Sequence, residues 1–312
     1  MLRANGADAT AQGGLAIPPA TSKADGEPIS LKAVSLPAAI ARHLPKGLQV
    51  FSLFYWSRGV RCQAYLDVPA GKEALPLLLE LHGGELWNGY PPGYTAYAVD
   101  PSIAAGIATN RAISFLPNYA GYGPSRGSPG DPHQNYLDVA NGLAALGRIS
   151  GLHVLPRATY LVGLSMGGDV AMILAAHDRN VRAAELVSPY PGPVAMMEWM
   201  NAQGVGSLTA LDSLDLAAMV DHYGGDLNAA AYRNDSYVYS SIHVPVLIIG
   251  GTNDPGFPPP LLRTMYHGLK RYDSHVTIRF FNGSHAPDST AVNQAEAAWF
   301  NAHGLKFAWP WS

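Results

Sequence analysis

Short apolar runs that end near glycine or proline recur along this chain, and helix-like segments separate them. The apolar runs span residues 75–84, 112–121, 159–168, 182–190 and 244–254. The helix-like segments span 95–109, 135–149, 167–177 and 258–271, and a last strand at 275–285 precedes a closing helix at 289–305. Uninterrupted apolar runs are typical of strands buried on both faces of a parallel sheet. The alternation therefore predicts an α/β fold with a doubly wound, mostly parallel sheet of about eight strands.

The segments around this pattern predict the domain organisation. Residues 48–57 and 60–69 alternate in polarity, which predicts an antiparallel hairpin. Residues 1–30 are rich in small and polar residues without periodicity, which is typical of a flexible N-terminal arm. The strand pattern stops over residues 191–240, a segment too long for an ordinary connection. We therefore predict one domain over residues 31–312, with a small helical lid inserted at about 191–240.

Composition argues against several classes of function. The net charge is −3 and no basic run exceeds a pair such as Lys270-Arg271, so we expect no nucleic-acid partner. No stretch approaches the roughly 18 apolar residues of a membrane span. The single cysteine, Cys62, cannot form an intramolecular disulfide or a zinc–thiolate cluster. Residues 1–14 hold no apolar signal segment, which slightly favours a cytoplasmic location unless a signal peptide has been removed.

Cofactor motifs are weak in this chain. The loop "GYGPSRG" (121–127) superficially resembles a dinucleotide loop. It runs into Pro129 and Pro132, however, and not into a helix whose N-terminus could hold a pyrophosphate. No set of histidine, cysteine and acidic residues has convincing metal-ligand spacing. We therefore expect neither a cofactor nor a metal.

Ser165 follows an apolar run and lies between Gly163 and Gly167 in the segment "GLSMGG". A nucleophile at a strand end must hold its hydroxyl clear of the backbone on a sharp turn, and glycines on both sides leave room for that turn. The residues after the turn, "GGDVAMILAAH", have the composition of a helix. Because ligands collect beyond the carboxyl ends of parallel strands, Ser165 is predicted to be a catalytic nucleophile. The structural alternative is a tight strand–helix loop without a chemical role.

Two further chemical groups follow later strands, in the chain order serine, acid, histidine. Asp254 ends the segment "VPVLIIGGTND", and His285 follows "HVTIRFFNGS". A serine hydroxyl becomes a good nucleophile when a neighbouring imidazole takes its proton, and that imidazole needs a carboxylate to fix its tautomer. We therefore predict a catalytic triad of Ser165, Asp254 and His285, with Asp273 as a second choice for the acid. Alternatively, Asp254 caps a turn and His285 is an ordinary loop histidine.

Acyl transfer also needs backbone N–H groups that stabilise negative charge on the substrate carbonyl oxygen. Met166, directly after the nucleophile, is expected to supply one of these groups. The other is expected from the segment "HGG" (82–84), where Gly84 is favoured and Gly83 is kept as its neighbour. His82 is expected to brace this loop and not to act in catalysis.

With these motifs the chain resembles the α/β-hydrolase superfamily, and within it the catalytic domain of the prolyl-oligopeptidase-like (S9-type) hydrolases and related carboxylesterases. The segments that carry the resemblance are "LHGG" (81–84), "PNYAGYGPSRGSPGD" (117–131), "NYLDV" (135–139), "GLSMGG" (163–168), "VPVLIIGGTND" (244–254) and "GSH" (283–285). The resemblance covers residues 75–305 and implies the fold and triad described above. Such peptidases usually carry a β-propeller, and too few residues precede the match to form one. Ala120 also stands where an arginine is expected in those peptidases. The lack of room for a propeller favours a stand-alone esterase.

The sequence therefore predicts a serine hydrolase that cleaves carboxylic esters through an acyl-enzyme intermediate. Two alternatives stay open: a peptidase or amidase that acts on short peptides, and a catalytically silent hydrolase fold that serves as a binding module. Candidate substrate-pocket residues are the aromatic residues Trp87, Tyr90, Tyr122 and Trp199, although ordinary packing would explain them equally well. The expected partner is a small-molecule ester, and homo-oligomerisation is left open.

Overall fold

A computed structural model of the chain describes residues 14–71, 73–84, 111–203, 219–226, 229–272 and 275–306. The strands in this part of the chain are β1 (Pro28–Ala33), β2 (Gln49–Ser57), β3 (Val60–Val68), β4 (Leu75–Leu81), β5 (Ile113–Asn118), β6 (Val154–Leu164), β7 (Val181–Val187), β8 (Val246–Gly251) and β9 (Val276–Phe281). The described strands form one nine-stranded sheet in the order β1-β2-β3-β5-β4-β6-β7-β8-β9. The pairs from β1 to β5 are antiparallel, and the pairs from β5 to β9 are parallel.

Helices cover both faces of this sheet. The helices among the described residues are α1 (Ala38–Ala41), α2 (Pro132–Leu146), α3 (Met166–His177), α4 (Pro193–Gln203), α5 (Ala230–Asn234), α6 (Pro259–Lys270) and α7 (Thr290–Ala302). Because successive strand side chains point to opposite faces, Leu77 and Leu79 enter the core beneath α2, α3 and α6, whereas Leu78 packs beneath α7. The predicted doubly wound α/β class is confirmed, with nine strands instead of about eight.

Two strands differ from the sequence prediction in a way that the residue pattern explains. β1 begins at Pro28, inside the segment expected to be a flexible arm, and its antiparallel pairing with β2 adds the ninth strand. β6 begins at Val154, before the apolar run at 159–168, and its residues 155–157 are exposed. Its pairing with β7 is irregular between Thr159 and Tyr160, beyond which all the residues up to Gly163 are buried. Hydrophobic pattern therefore located the buried part of each strand and missed the exposed parts.

The described parts of residues 191–240 are helical: α4, a turn of helix at 219–223, α5 and a short 3-10 turn at Tyr239–Ser241. From α4, Met196, Met197 and Met200 are buried in the main core. This segment is called the helical insertion below. The helix predicted at 95–109 lies outside the described residues. Among the described residues no helix combines the length and the apolar character needed to cross a lipid bilayer.

Candidate active site

Ser165 stands on a sharp turn between β6 and α3, with backbone angles φ 54° and ψ −122°. A non-glycine residue rarely adopts a positive φ, and such backbone strain is typical of functional turns. The residues two positions before and after it must be glycine because backbone atoms of neighbouring segments lie too close to leave room for a Cβ. A Cβ on Gly163 would lie 2.5 Å from the Gly167 carbonyl oxygen, and a Cβ on Gly167 would lie 2.0 Å from the Leu81 carbonyl oxygen. The sharp turn predicted around Ser165 is therefore present, and its glycines are dictated by sterics, while the nucleophilic role of Ser165 stays a prediction.

The segment after β7 supports this turn from the other side. The Tyr190 N–H donates to the Ser165 carbonyl oxygen at 2.9 Å, and the Ser165 N–H donates to the Val187 carbonyl oxygen at 3.0 Å. A Cβ on Gly168 would lie 2.5 Å from the Cβ of Pro189. This segment, residues 188–190, contains no acidic residue. Its role is to hold the turn in place.

Sheet register brings the later strand ends to the same edge. Leu164 of β6 pairs with Val187 of β7, which in turn pairs with Ile249 of β8. Asp254 follows β8 and His285 follows β9, which is the neighbour of β8. Carboxyl ends of parallel strands share one edge, so all three predicted catalytic residues lie at that edge.

Asp254 and His285 are hydrogen bonded at this edge. The His285 Nδ1–H donates to Asp254 Oδ2 at 2.9 Å, because a carboxylate oxygen can only accept. The backbone N–H groups of Gly256 and Phe257 donate to Asp254 Oδ1 at 3.0 and 3.1 Å. The Asp254 side chain is fully buried, whereas His285 is 35% exposed. With Nδ1 engaged, the Nε2 atom of His285 is left to exchange a proton with a substrate or nucleophile.

The pKa of Asp254 is set by these donors. Burial acts to raise this pKa, but the hydrogen bonds from His285 and from the Phe257 N–H outweigh it and hold the pKa below the usual aspartate value. The Ser188 hydroxyl lowers the pKa further. Asp254 therefore stays ionised at neutral pH, as an orienting carboxylate must. Asp273, the second choice for the acid, lies outside the described residues.

His82 braces the glycine loop after β4. Its Nδ1–H donates to the Gly83 carbonyl oxygen at 2.6 Å, and its ring stacks on Tyr119 at a centroid distance of 4.1 Å. Burial lowers the pKa of His82 to about 4, so its imidazole is neutral at physiological pH. A peptide group is planar and trans, so a carbonyl of Gly83 held towards His82 turns the N–H of Gly84 in the opposite direction. His82 thereby fixes the orientation of one predicted oxyanion donor.

The glycine loop lies against the nucleophile turn. A Cβ on Gly83 would lie 3.1 Å from the Cβ of Ser165, and a Cβ on Gly84 would lie 2.6 Å from the Tyr122 hydroxyl oxygen. Met166 is the first residue of α3, and the first N–H groups of a helix have no intrahelical acceptor. The structure therefore brings Gly83 next to Ser165, and Tyr122 fills the space that a side chain at position 84 would need.

The predicted substrate-pocket residues divide into two groups. Trp87 and Tyr90 lie outside the described residues. Tyr122 is buried against His82, at a centroid distance of 5.0 Å. Trp199 is partly buried on α4 and packs against the main core. For Tyr122 and Trp199 the described contacts are packing contacts, so a substrate role for them stays a prediction.

Two residues near the site were missed by the sequence prediction. Phe257 packs against the His285 ring at a centroid distance of 5.4 Å and against Tyr190 at 6.0 Å, so it limits the movement of the imidazole. Asp138 on α2 accepts from the Ala120 N–H at 2.9 Å and pairs with Arg58 at 3.0 Å. It thereby anchors the loop that carries Tyr119 and Tyr122. The "NYLDV" segment contained Asp138, but its partners come from distant parts of the chain.

Comparison with known proteins gives matches of structure only. Neither a protein-family model nor a curated protein sequence matches the chain. An acetyl xylan esterase from Paenibacillus sp. R4 aligns over 88% of this chain and 88% of its own, with a TM-score of 0.63 and 18% identity. An esterase from Pyrococcus furiosus aligns over 88% of this chain and 96% of its own, with a TM-score of 0.58 and 13% identity.

A peptidase structure also matches. An acylaminoacyl peptidase from Pyrococcus horikoshii aligns over 88% of this chain with a TM-score of 0.64 and 16% identity, but this chain spans only 44% of that protein. The sheet order, the nucleophile turn and these likenesses define the class of structure: the chain has the α/β-hydrolase fold. Its fold is similar to that of these esterases and acylaminoacyl peptidases, in agreement with the resemblance predicted from the sequence.

Proposed function

We propose that this protein is a serine hydrolase that cleaves carboxylic esters through an acyl-enzyme intermediate. The observation that carries the proposal is the strained backbone of Ser165, at φ 54°, on the sheet edge where His285 and Asp254 form a hydrogen-bonded pair. Strain of this kind costs on the order of 1–3 kcal/mol and is found most often at functional sites.

In the proposed reaction the Ser165 oxygen bonds to the ester carbonyl carbon while its proton passes to Nε2 of His285. The tetrahedral intermediate then expels the alcohol oxygen, which takes the same proton from His285 and leaves as the alcohol. A water molecule attacks the acyl-enzyme by the same route and releases the carboxylic acid and Ser165. The buried carboxylate of Asp254 holds Nδ1 protonated and stabilises the imidazolium in both steps.

The developing oxyanion is assigned to the N–H groups of Gly84 and Met166. The Gly84 assignment is supported by the hydrogen bond that holds the Gly83 carbonyl towards His82. The Met166 assignment is supported by its position at the start of α3, where the positive end of the helix dipole favours negative charge. Loss of one such donor costs roughly 10²–10³-fold in turnover.

Ser165→Ala tests the proposal. Hydrolysis of p-nitrophenyl acetate should fall roughly 10⁶-fold, because nucleophile and base act as one unit. The matched control is Ser150→Ala, an exposed serine that precedes the opposite end of β6 and should keep wild-type turnover. A fluorophosphonate probe should label wild type and not Ser165→Ala. Retained turnover in Ser165→Ala would disprove the triad, and an unlabelled wild type would favour a silent binding module.

A second candidate, a peptidase or amidase of the acylaminoacyl-peptidase kind, is supported by the likeness to the Pyrococcus horikoshii structure. The two candidates use the same triad and differ in the leaving group. Turnover of an acylaminoacyl anilide and of the matching acylaminoacyl ester separates them. We expect the ester to be cleaved and the anilide to be cleaved slowly or not at all, and a preference for the anilide would reverse the choice.

A further inference from the structure

A second histidine–aspartate cluster lies where the helical insertion meets α2. One ligand atom from each of Asp131, His222 and Asp235 lies within 4.8 Å of the other two. His222 Nε2 is 3.9 Å from Asp131 Oδ2. His222 and Asp235 belong to the helical insertion, whereas Asp131 is the N-cap residue of α2. The cluster therefore joins two separate parts of the fold through their side chains.

The two carboxylates are held by neighbouring donors. Asp131 Oδ1 accepts from the Gln134 N–H at 2.7 Å, which leaves Oδ2 directed towards His222. Asp235 Oδ2 accepts from the Tyr223 hydroxyl at 2.7 Å. Hydrogen bonds of this kind orient ligands in protein metal sites. His222 is 38% exposed, and the three ligand atoms would need to approach one another by about 1 Å to reach the roughly 3.4 Å spacing of a tetrahedral zinc site.

A third carboxyl, that of Asp169 on α3, faces the same segment of the helical insertion. It is fully buried on α3, and among the described residues neither of its carboxylate oxygens has a hydrogen-bond partner. Its Oδ1 and the Ser236 hydroxyl lie 3.5 and 3.7 Å from the position that a Cβ on Gly192 would take, so Asp169 faces the segment that carries Asp235. A buried carboxylate near other carboxylates is stabilised by a cation.

The donor set indicates which cation would bind. Calcium and magnesium take oxygen ligands, whereas an imidazole with carboxylates suits zinc and related transition metals. We propose that Asp131, His222 and Asp235 bind one Zn²⁺-like divalent ion that fastens the helical insertion to the start of α2. Three protein ligands leave the fourth position to water.

Direct metal binding tests the site. The full chain is purified without a polyhistidine tag, stripped with a chelator and titrated with ZnCl₂ by calorimetry. Wild type should bind one Zn²⁺ per chain, and its Tm should rise with Zn²⁺ concentration because the ion binds the folded state. Tyr223→Phe removes only a hydrogen bond to a ligand and should weaken binding roughly 10–100-fold. His222→Ala removes a ligand and should weaken binding more than Tyr223→Phe does.

Two controls separate this cluster from other histidines. His243→Ala removes an exposed histidine outside the cluster and should leave Zn²⁺ affinity unchanged. His285→Ala removes the imidazole paired with Asp254 and should also leave it unchanged. Loss of binding in His285→Ala with retention in His222→Ala would overturn the proposal. So would the absence of Zn²⁺ binding by wild type, or a preference for Ca²⁺ over Zn²⁺. If His222→Ala does not fold, Tyr223→Phe and Asp235→Asn carry the test.

Discussion

Two clusters in this protein combine the same residue types, histidine and aspartate, in different surroundings. His285 and Asp254 form a hydrogen-bonded pair, with Nδ1 and Oδ2 2.9 Å apart, at the carboxyl edge of the sheet. His222, Asp131 and Asp235 form a compact triangle of ligand atoms beside α2. In the first cluster one carboxylate faces one imidazole, and in the second two carboxylates share one imidazole.

The surroundings of the carboxylates decide what each cluster can do. Asp254 accepts from two backbone N–H groups and from His285, and its pKa lies below the usual value although burial opposes this. For Asp235, burial and the neighbouring Asp131 carboxylate raise the pKa to about 7, although the Tyr223 hydroxyl acts in the other direction. A carboxylate satisfied by donors can orient an imidazole for proton transfer, whereas crowded carboxylates favour a cation. Residue type alone therefore does not separate a catalytic pair from a metal site.

Removal of the imidazole from the first cluster should have the largest effect. His285→Ala leaves Ser165 without a base, so kcat for p-nitrophenyl acetate should fall roughly 10⁶-fold. The measurement is steady-state turnover, with circular dichroism to verify the fold. His243→Ala is the matched control and should keep wild-type kcat. If His285→Ala retained most of the wild-type turnover, His285 would not be the catalytic base and the first cluster would have no catalytic role.

Asp254→Asn keeps the shape of the first cluster and changes its donor pattern. An asparagine amide donates to Nδ1, which forces the proton onto Nε2 and prevents Nε2 from acting as a base. We expect kcat to fall roughly 10⁴-fold with little change in KM. The exposed Asp288 lies in the same loop as His285, and Asp288→Asn should behave as wild type. An equal loss of kcat in Asp254→Asn and Asp288→Asn would show that kcat depends on negative charge near the loop and not on the orientation of His285.

The first cluster could be predicted from sequence because its residues follow recognisable strands. Buried parallel strands produce apolar runs, and their carboxyl ends meet at one edge, so Ser165, Asp254 and His285 could be assigned by strand position alone. The turn at Ser165 is also recognisable in the local sequence, because steric hindrance allows only glycine at positions 163 and 167. The strand ends and the steric need for glycine therefore explain why the positions expected from the sequence agree with those in the structure.

The second cluster could not be predicted, because no local pattern links its members. Asp131 caps a helix, and His222 and Asp235 lie in the helical insertion, where the sequence shows no strand signal. Metal-ligand spacing is easiest to recognise in a sequence when at least two ligands share one turn or one helix. β1 was also missed because it lacks a local pattern. It lies at the edge of the sheet, and most of its residues are partly buried or exposed, so it shows little of the apolar pattern that identifies a buried strand.

The effect of donors on a carboxylate can also be tested away from both clusters, on the sheet face that α7 covers. Glu80 of β4 and Glu185 of β7 pair with the same residue of β6, Val162, and Glu296 of α7 lies against this face. Burial, with the charge of Glu296, raises the pKa of Glu80 to about 7 from its ordinary value of 4.5. Burial therefore determines the direction of the pKa shift for Glu80, whereas for Asp254 the hydrogen-bond donors outweigh burial.

Glu80→Gln should remove part of the pH dependence of stability. Below pH 4.5 the Glu80 carboxyl is protonated in the folded and unfolded chain and costs nothing. As pH rises towards 7, the unfolded chain releases this proton first, so the wild-type free energy of unfolding should fall by roughly 3 kcal/mol. Urea unfolding at a series of pH values should show Glu80→Gln to be the more stable protein above pH 7 and equal to wild type below 4.5. Glu73→Gln, at an exposed position, should follow the wild-type curve. A Glu80→Gln curve parallel to wild type would mean that burial without donors does not control this carboxyl, and would weaken the same reasoning for Asp235.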